Sequence, residues 1–502
     1  MQDDAIFKSK DNKYFDEVRF TLPNVKAGSV LEYSYVISSD GVRGFQFQHD
    51  IPTAWSEYTL EIPKTVSYRK FIKGTLKPTK HEEFNGGEKW VFANVPAFKP
   101  EPYMPSEDEY ISQIDFSFSK SSWFGISAML LDDFNFGKTV TGFPFLQKKT
   151  DELIAGIKDS KEKIRVITNY VKESLEWDGT LDIYAEDLKT VFKDRKGNAA
   201  DINLALASML NKAGVPVDMV LISTRGNGFV NQDMAELSQF NYTICVAYID
   251  TVGILLDATE KYLPWNVLPT RCLNGRGYIV SSENFGFPFI NSEAKRKSTV
   301  RADLVLNDTG ELTGKLTYTR DGYAAHEMRK SLNTKGKEIY LKDFLGLNEY
   351  RVSNSEFKDI ENVEKVATEV HDVVVDGHGT VAGDMIYINP FITSQTEENP
   401  FKTEKRDFPL DFVTPTEQLY MCNLVIPPGY VVDELPESKL MLLPDKAGKF
   451  FYQVTQQGNK LVIASSIQIN QRVFTQDQYP NLRELYSRVV AKQSEQIVLK
   501  KK

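Results

Sequence analysis

The side chains able to do covalent or metal chemistry are few and widely spaced. The 502 residues hold three cysteines, Cys245, Cys272 and Cys422, and five histidines, His49, His81, His326, His371 and His378. Nucleophilic catalysis needs a thiolate or alkoxide beside a base, and an imidazole is the usual base near neutral pH. No histidine lies between residues 82 and 325. No GxSxG, HExxH, phosphate loop or paired CxxC occurs, and the glycines of RGNG and GRG stand isolated. Cys245 follows Tyr242 by three residues in a strand-like run, so the strand period sends it to the opposite face, toward packing. Cys272, in RCLNG, falls in a loop beyond the core with no base nearby in sequence, and Ser208 sits inside a helical pattern. His371 and His378 bracket HDVVVDGH, but a seven-residue gap without clustered carboxylates makes a poor chelate, and surface imidazoles are the expected reading. Neither a metal nor a cofactor is expected.

The elements that would position chemistry are clearest between Gly197 and Thr259. Ile202, Ala205, Leu206, Met209, Leu210 and Ala213 recur at helical spacing and predict a helix burying one face; Gly214 and Pro216 stop it. Val217–Ile222, Tyr242–Ile249 and Ile254–Asp257 read as strands, the last two joined by a turn over residues 250–253.

This order, helix start GNAAD, strand FNYTICVAYI, strand end LLDAT, resembles the transglutaminase-like superfamily, which has a papain-like cysteine-hydrolase layout. The resemblance implies a Cys at the helix start, where the helix end lowers a thiol pKa, a His on the next long strand and an Asp after it. Here Ala199 takes the Cys position and Tyr242 the His position, and Asp257 alone matches. A methyl group cannot attack a carbonyl, and a phenol is a poor base at neutral pH. The resemblance therefore implies a catalytically inactive protein. Its cleft would be lined by Trp177, Asn198, Asp201, Asn241, Tyr242 and Asp257 and would bind or scaffold a peptide, protein or glycan of the cell envelope. The bland alternative is that Tyr242 and Asp257 bond each other and close the site. Two rivals are a protease or acyltransferase with a non-standard nucleophile, and function carried by the flanking β regions.

Composition sets the frame. Hydrophobic content of 41%, charged content of 26% and a net charge of −9 describe an ordinary globular protein without a basic footprint for nucleic acid. No apolar run has the length of a transmembrane helix. The expected fold class is α+β in three regions: β-rich 1–120, a helical lead-in plus core at 121–290, and β-rich 299–502 with a helical insertion at 323–347 and a last helix at 480–494. The flanks are expected to be sandwich-like. Strands are expected at 20–23, 30–36, 57–62, 90–95 and 110–118, and one helical stripe runs through Ile126, Met129, Leu130 and Phe134. The family resemblance implies an exported, periplasmic or secreted protein; the polar start MQDDAIFKSK has no signal peptide and reads as a clipped or processed N-terminus. Oligomeric state is not legible.

Overall fold

The computed structural model describes residues 6–10, 16–22, 24–38, 41–118, 122–346 and 351–502. Residues 119–121 and the expected element ends at Pro23 and Leu347 lie outside these. No helix among the described residues is long and apolar enough to cross a membrane. The chain forms two units, Met1–Gly44 and Phe45–Lys502. The first contains one antiparallel pair, β1 (Ile6–Lys10) and β2 (Asp16–Phe20). The strand expected at 30–36 is not formed: Val30 and Val36 are almost fully exposed, and among the described residues this imperfect alternation has no partner strand to pair with.

In the second unit, alternating aromatic and polar residues build two three-stranded sheets. β3 (Phe45–Gln46), β4 (Thr53–Glu61), β5 (Arg69–Lys73), β6 (Lys80–Phe84), β7 (Gly87–Val95) and β8 (Gln113–Ser117) pair in the orders β3-β8-β5 and β4-β7-β6. Rings fill the space between them, with Phe47 and Phe92 stacked at 4.2 Å and Tyr58 and Phe116 at 5.6 Å.

Helices follow: α1 (Trp123–Asp132), α2 (Gly137–Thr141), α3 (Phe145–Leu153) and α4 (Ser160–Ser174). Along α1, Ile126 and Leu130 are buried, but Met129 and, beyond the helix, Phe134 face solvent. Phe134 falls off the stripe because the helix stops at Asp132. Then come β9 (Glu176–Trp177), α5 (Leu188–Asp194), β10 (Lys196–Gly197) and α6 (Ala199–Lys212). β11 (Val217–Ile222), β12 (Tyr242–Ile249), β13 (Val252–Leu256) and β14 (Tyr278–Val280) make an antiparallel sheet of order β13-β12-β11-β14. Every residue of α6 from Ala199 to Leu210 is buried, not one face as its periodicity predicts. The helix lies between this sheet and the other helices, so its polar Asn203 and Ser208 are enclosed too. Met219, Leu221, Cys245 and Ala247 face that helical layer, whereas Val220, Ile222, Tyr242 and Ile244 face a second cluster on the sheet's other side.

The C-terminal region begins with the hairpin β15 (Arg296–Leu306) and β16 (Leu312–Gly322), followed by α7 (Tyr323–Lys335) and α8 (Lys337–Gly346). Next are β17 (Arg351–Lys358), β18 (Ala367–Val375), β19 (Thr380–Ala382), β20 (Met385–Ile388), β21 (Leu410–Asp411), β22 (Thr416–Val425) and β23 (Tyr430–Glu434). β24 (Lys439–Leu442), β25 (Gly448–Gln457), β26 (Lys460–Ile469), β27 (Val473–Phe474), α9 (Tyr479–Gln493) and β28 (Ile497–Lys501) complete the chain. Eight strands form one sheet, β17-β18-β16-β15-β22-β26-β25-β24, in which β15 and β22 run parallel. A four-stranded sheet, β19-β20-β28-β23, and α9 cover its inner face through Ile386, Leu482, Leu485, Val489 and Leu499. The fold is α+β, as the sequence predicts.

Because Leu206 is fully buried at the centre of the helical layer, Leu206→Ala is expected to cost about 2–5 kcal/mol. Equilibrium urea unfolding, read as a fall in midpoint at constant slope, checks it.

Candidate functional site

The start of α6 is built by its own first turn. Asn198 is the N-cap: its side-chain oxygen accepts from the Asp201 N–H at 2.8 Å, and the Asp201 carboxylate accepts from the Asn198 N–H at 2.7 Å. This reciprocal capping box satisfies two otherwise orphan donors. The other Asp201 oxygen accepts from the Glu186 N–H at 2.6 Å, and the Asn198 amide donates to the Tyr184 carbonyl at 3.1 Å. Gly197 is required beneath it, since a Cβ there would lie 2.8 Å from an Asp201 carboxylate oxygen. Burial pushes the Asp201 carboxyl up to about 6, against the pull of its backbone donors. Asn198 and Asp201 are therefore buried and committed to the helix start; they do not line a groove.

Ala199, the first residue of α6, is fully buried in one cluster with Tyr242, Cys272, Leu263 and Tyr323. The Tyr242 hydroxyl donates to an Asp257 carboxylate oxygen at 2.7 Å and lies 2.9 Å from the Thr259 hydroxyl. Asp257 also accepts from the Asn203 amide at 3.0 Å and the Thr259 N–H at 2.9 Å. Burial, with the Asp257 charge beside it, pushes the Tyr242 phenol well above its ordinary value, so it stays protonated.

Arg271 closes the site. Its guanidinium lies 4.0 Å from the Trp177 ring centre and donates to the Tyr242 oxygen at 3.2 Å and to the Thr259 hydroxyl. It pairs with Glu260 at 2.5 Å. Burial would raise the Glu260 carboxyl, but Arg271, His326 and Lys330 together hold it below its usual range. Trp177 donates its indole N–H to the Thr180 carbonyl at 2.9 Å, and its strand position places it beside Gly197. The Asn241 amide is engaged by Thr224, accepting from its N–H and donating to its hydroxyl, both at 2.9 Å.

The structure thus joins Ala199, Tyr242 and Asp257, with Trp177 over them. It does not expose the expected groove at these residues: Ala199 and Tyr242 have no exposed surface, and the Arg271 guanidinium lies against the Trp177 ring beside them. Sequence reading missed Arg271, Thr259, Asn203 and Glu260. Only Thr259 carried a local signal, two residues after an Asp whose carboxylate it can cap. Cys272 also needs correction. It lies not beyond the site but against the Tyr242 hydroxyl, and burial, with the Asp257 charge nearby, pushes its thiol well above the ordinary range. Cys245 packs on the opposite sheet face. An imidazole does approach the core from α7, with His326 at 3.7 Å from Glu260. His371 is not a surface residue: it is fully buried, bonded to the Ser355 hydroxyl at 2.8 Å and 3.4 Å from Glu369. The alternation that brings β18 into the core carries it inward. His378 instead bonds the Asn389 carbonyl at 2.7 Å. Among the described residues, His81, Glu83 and Glu88 bring ligand atoms within 4.8 Å of one another, but the Lys70 ammonium already sits on Glu88.

Residues 147–243 match the Transglutaminase-like superfamily, and residues 384–499 match DUF3858, a domain of unknown function with a solved structure. No curated protein matches the chain. A crystal structure named "putative protease" from Parabacteroides distasonis ATCC 8503 superposes with a TM-score of 0.61 at 13% identity, covering 99% of this chain and 85% of that one. A "putative cysteine protease" from Cytophaga hutchinsonii covers 43% of this chain and 74% of its own at 11% identity, but its TM-score of 0.21 is too low to argue from. The first likeness shows a shared fold. The chain is a multi-domain protein with a transglutaminase-like core and β-rich flanks.

Two outcomes are expected. Tyr242→Phe leaves Asp257 one donor short and should cost about 1–3 kcal/mol in urea unfolding. Burial, with Arg320 nearby, pushes the His371 imidazole down to about 4. The folded state then refuses a proton that the unfolded chain accepts, so stability falls as pH drops from 6.5 toward 4. His371→Gln should remove up to about 3 kcal/mol of that loss, seen by comparing unfolding at the two ends of the window.

Proposed function

We propose that this protein, with its transglutaminase-like core, works without the covalent chemistry of the papain-like layout and acts as a binding or scaffolding protein of the cell envelope, taking a peptide or glycan. One observation carries the reading: a methyl group stands at the first turn of α6, facing a protonated phenol hydrogen-bonded to Asp257. Such a site has no nucleophile at 199 and no base at 242. The extracytoplasmic setting is what the resemblance of the sequence to the transglutaminase-like superfamily implies. In this reading residues 1–120, 121–290 and 299–502 are separate regions, with the core as a rigid spacer and the β-rich flanks free to meet a ligand.

A second reading, a protease or acyltransferase with a non-standard nucleophile, draws on Cys272, a thiol within the same cluster. Its burial and raised pKa count against it.

Thiol- and serine-directed probes on native protein test the two. We expect no labelling of Cys245, Cys272 or Cys422, all buried, and three reactive thiols after denaturation. Stoichiometric native labelling of Cys272 would favour the enzyme. A restored site gives the converse: Ala199→Cys with Tyr242→His, opened by Arg271→Ala, should yield a thiol more reactive at neutral pH than free cysteine. A thiol that titrates like free cysteine would mean that the start of α6 does not activate residue 199.

A further inference from the structure

The eight-stranded sheet changes character along its inner face. On β15, Val300, Ala302, Leu304 and Leu306 are buried, but the same face continues outward to Ser298. On β22, Tyr420, Cys422 and Leu424 are buried, and their face continues to Gln418, which is exposed. Ser298 and Gln418 are cross-strand partners. The alternation is unbroken, yet polar residues take core-facing positions at this end, and a local rule broken in this way marks a site more often than a defect.

The polar row floors a cleft of about 470 Å³, within the size range of small-ligand sites. Rings form its walls: Phe401 lies 5.1 Å from Tyr486, and Tyr103 lies 5.8 Å from Phe412. Tyr103 is 47% exposed at the mouth and has a left-handed φ of 66°. Ser394, also on the wall, has φ 57°, and Val413, next to Phe412, has φ 69°. Three non-glycine residues in this costly conformation around one cavity require the surroundings to hold them. Part of that hold is visible: the Tyr103 carbonyl accepts from the Asp411 N–H at 2.7 Å, and the buried Asp411 carboxylate is pinned by Arg225 at 2.7 Å and Arg472 at 3.3 Å. A second cavity, of about 320 Å³, shares Ser298 and Gln418 and extends the groove toward α7.

We propose that this groove binds a neutral oligosaccharide; the proposal rests on the binding reading above and narrows its ligand site from the β-rich flanks to this groove of the C-terminal β region. Among the described residues no lysine, arginine or histidine lines the larger cleft, and Glu397 and Glu398 stand on its rim, so an anionic ligand is disfavoured. In the smaller cavity Arg296 is paired with Glu327 at 2.6 Å and Arg320 with Glu369. An extended peptide would add to a free strand edge. That mode is closed here, because β15 and β22 are each paired on both sides. Recognition must come from hydroxyls, amides and ring faces. Ser and Gln both donate and accept, as sugar hydroxyls do, and an exposed tyrosine offers an apolar face with a polar tip.

The test is calorimetric titration of the full chain with cellotetraose, chitotetraose and maltotetraose, and with a hexa-alanine peptide. Saturable binding of at least one sugar is expected, weakened about tenfold or more by Gln418→Ala and by Tyr103→Ala, retained in Tyr103→Phe, and unchanged in Phe134→Ala, an exposed ring elsewhere. Gln418 and Tyr103 are surface residues, so unchanged thermal unfolding of each variant is the folding check. No sugar binding, binding indifferent to both variants, or binding of the peptide in place of the sugars overturns the groove. Binding weakened by Arg271→Ala but not by Gln418→Ala returns the ligand to the core; it overturns the groove and leaves the binding reading standing. Sugar shortening in the recovered mixture overturns the non-catalytic reading and leaves the groove.

Discussion

A carboxylate sealed from water must be given donors, and Asp257 sets that demand for the core. No imidazole is available beside it. Tyr242, Asn203 and the Thr259 backbone supply the hydrogen bonds instead. Each answer raises a further requirement. The Tyr242 oxygen, having donated, keeps lone pairs that Arg271 satisfies. The guanidinium, largely buried, needs a counter-charge, and Glu260 provides it. Glu260 in turn is met by Lys330 and His326 from α7. The compensation runs from β12 to the helical insertion of the next region, and the Tyr323 hydroxyl ties the same helix to the Leu268 carbonyl at 2.8 Å. Networks of this kind are costly when half satisfied. Closing the core thus depends on α7, and the core and C-terminal region share one electrostatic unit.

How far this could be seen in the sequence depends on how local each cause is. The helix was legible because Ile202, Ala205, Leu206, Met209 and Leu210 recur at helical spacing; the capping box of Asn198 and Asp201 that starts it was not, and both residues were expected in the cleft. The strands around Tyr242 were legible because β-branched and aromatic runs bounded by turns have few other uses. The positions of Ala199, Tyr242 and Asp257 came from the family resemblance, which sets them on a helix start and two neighbouring strands. Arg271, Glu260 and Cys272 were not legible. They lie in irregular chain after β13, where no periodicity reports which way a side chain points. His371 misled because its burial depends on β17, an added strand with weak alternation of its own. Residues 30–36 misled in the other direction: alternation marks a strand only where another strand accepts its hydrogen bonds.

The same contrast separates the two ends of the large sheet. Periodicity predicts that alternate residues of β15 and β22 face inward, and they do. It does not say where the covering layer stops. α9 and the four-stranded sheet cover the apolar end, and the polar end opens into the cavities. A serine in a strand pattern reads as a minor flaw until the register places a glutamine beside it.

Ala199 and Tyr242 pack as a pair. A smaller side chain than Tyr242 would leave a gap beside the Ala199 methyl, and buried gaps forfeit contacts on every side. A larger side chain at 199 would crowd the Tyr242 ring, and overpacking is also destabilising. With Ala199 and Tyr242 both present, the ring occupies the space beside the methyl, and its hydroxyl reaches the Asp257 carboxylate. A fully buried cluster with every Asp257 oxygen bonded is the result.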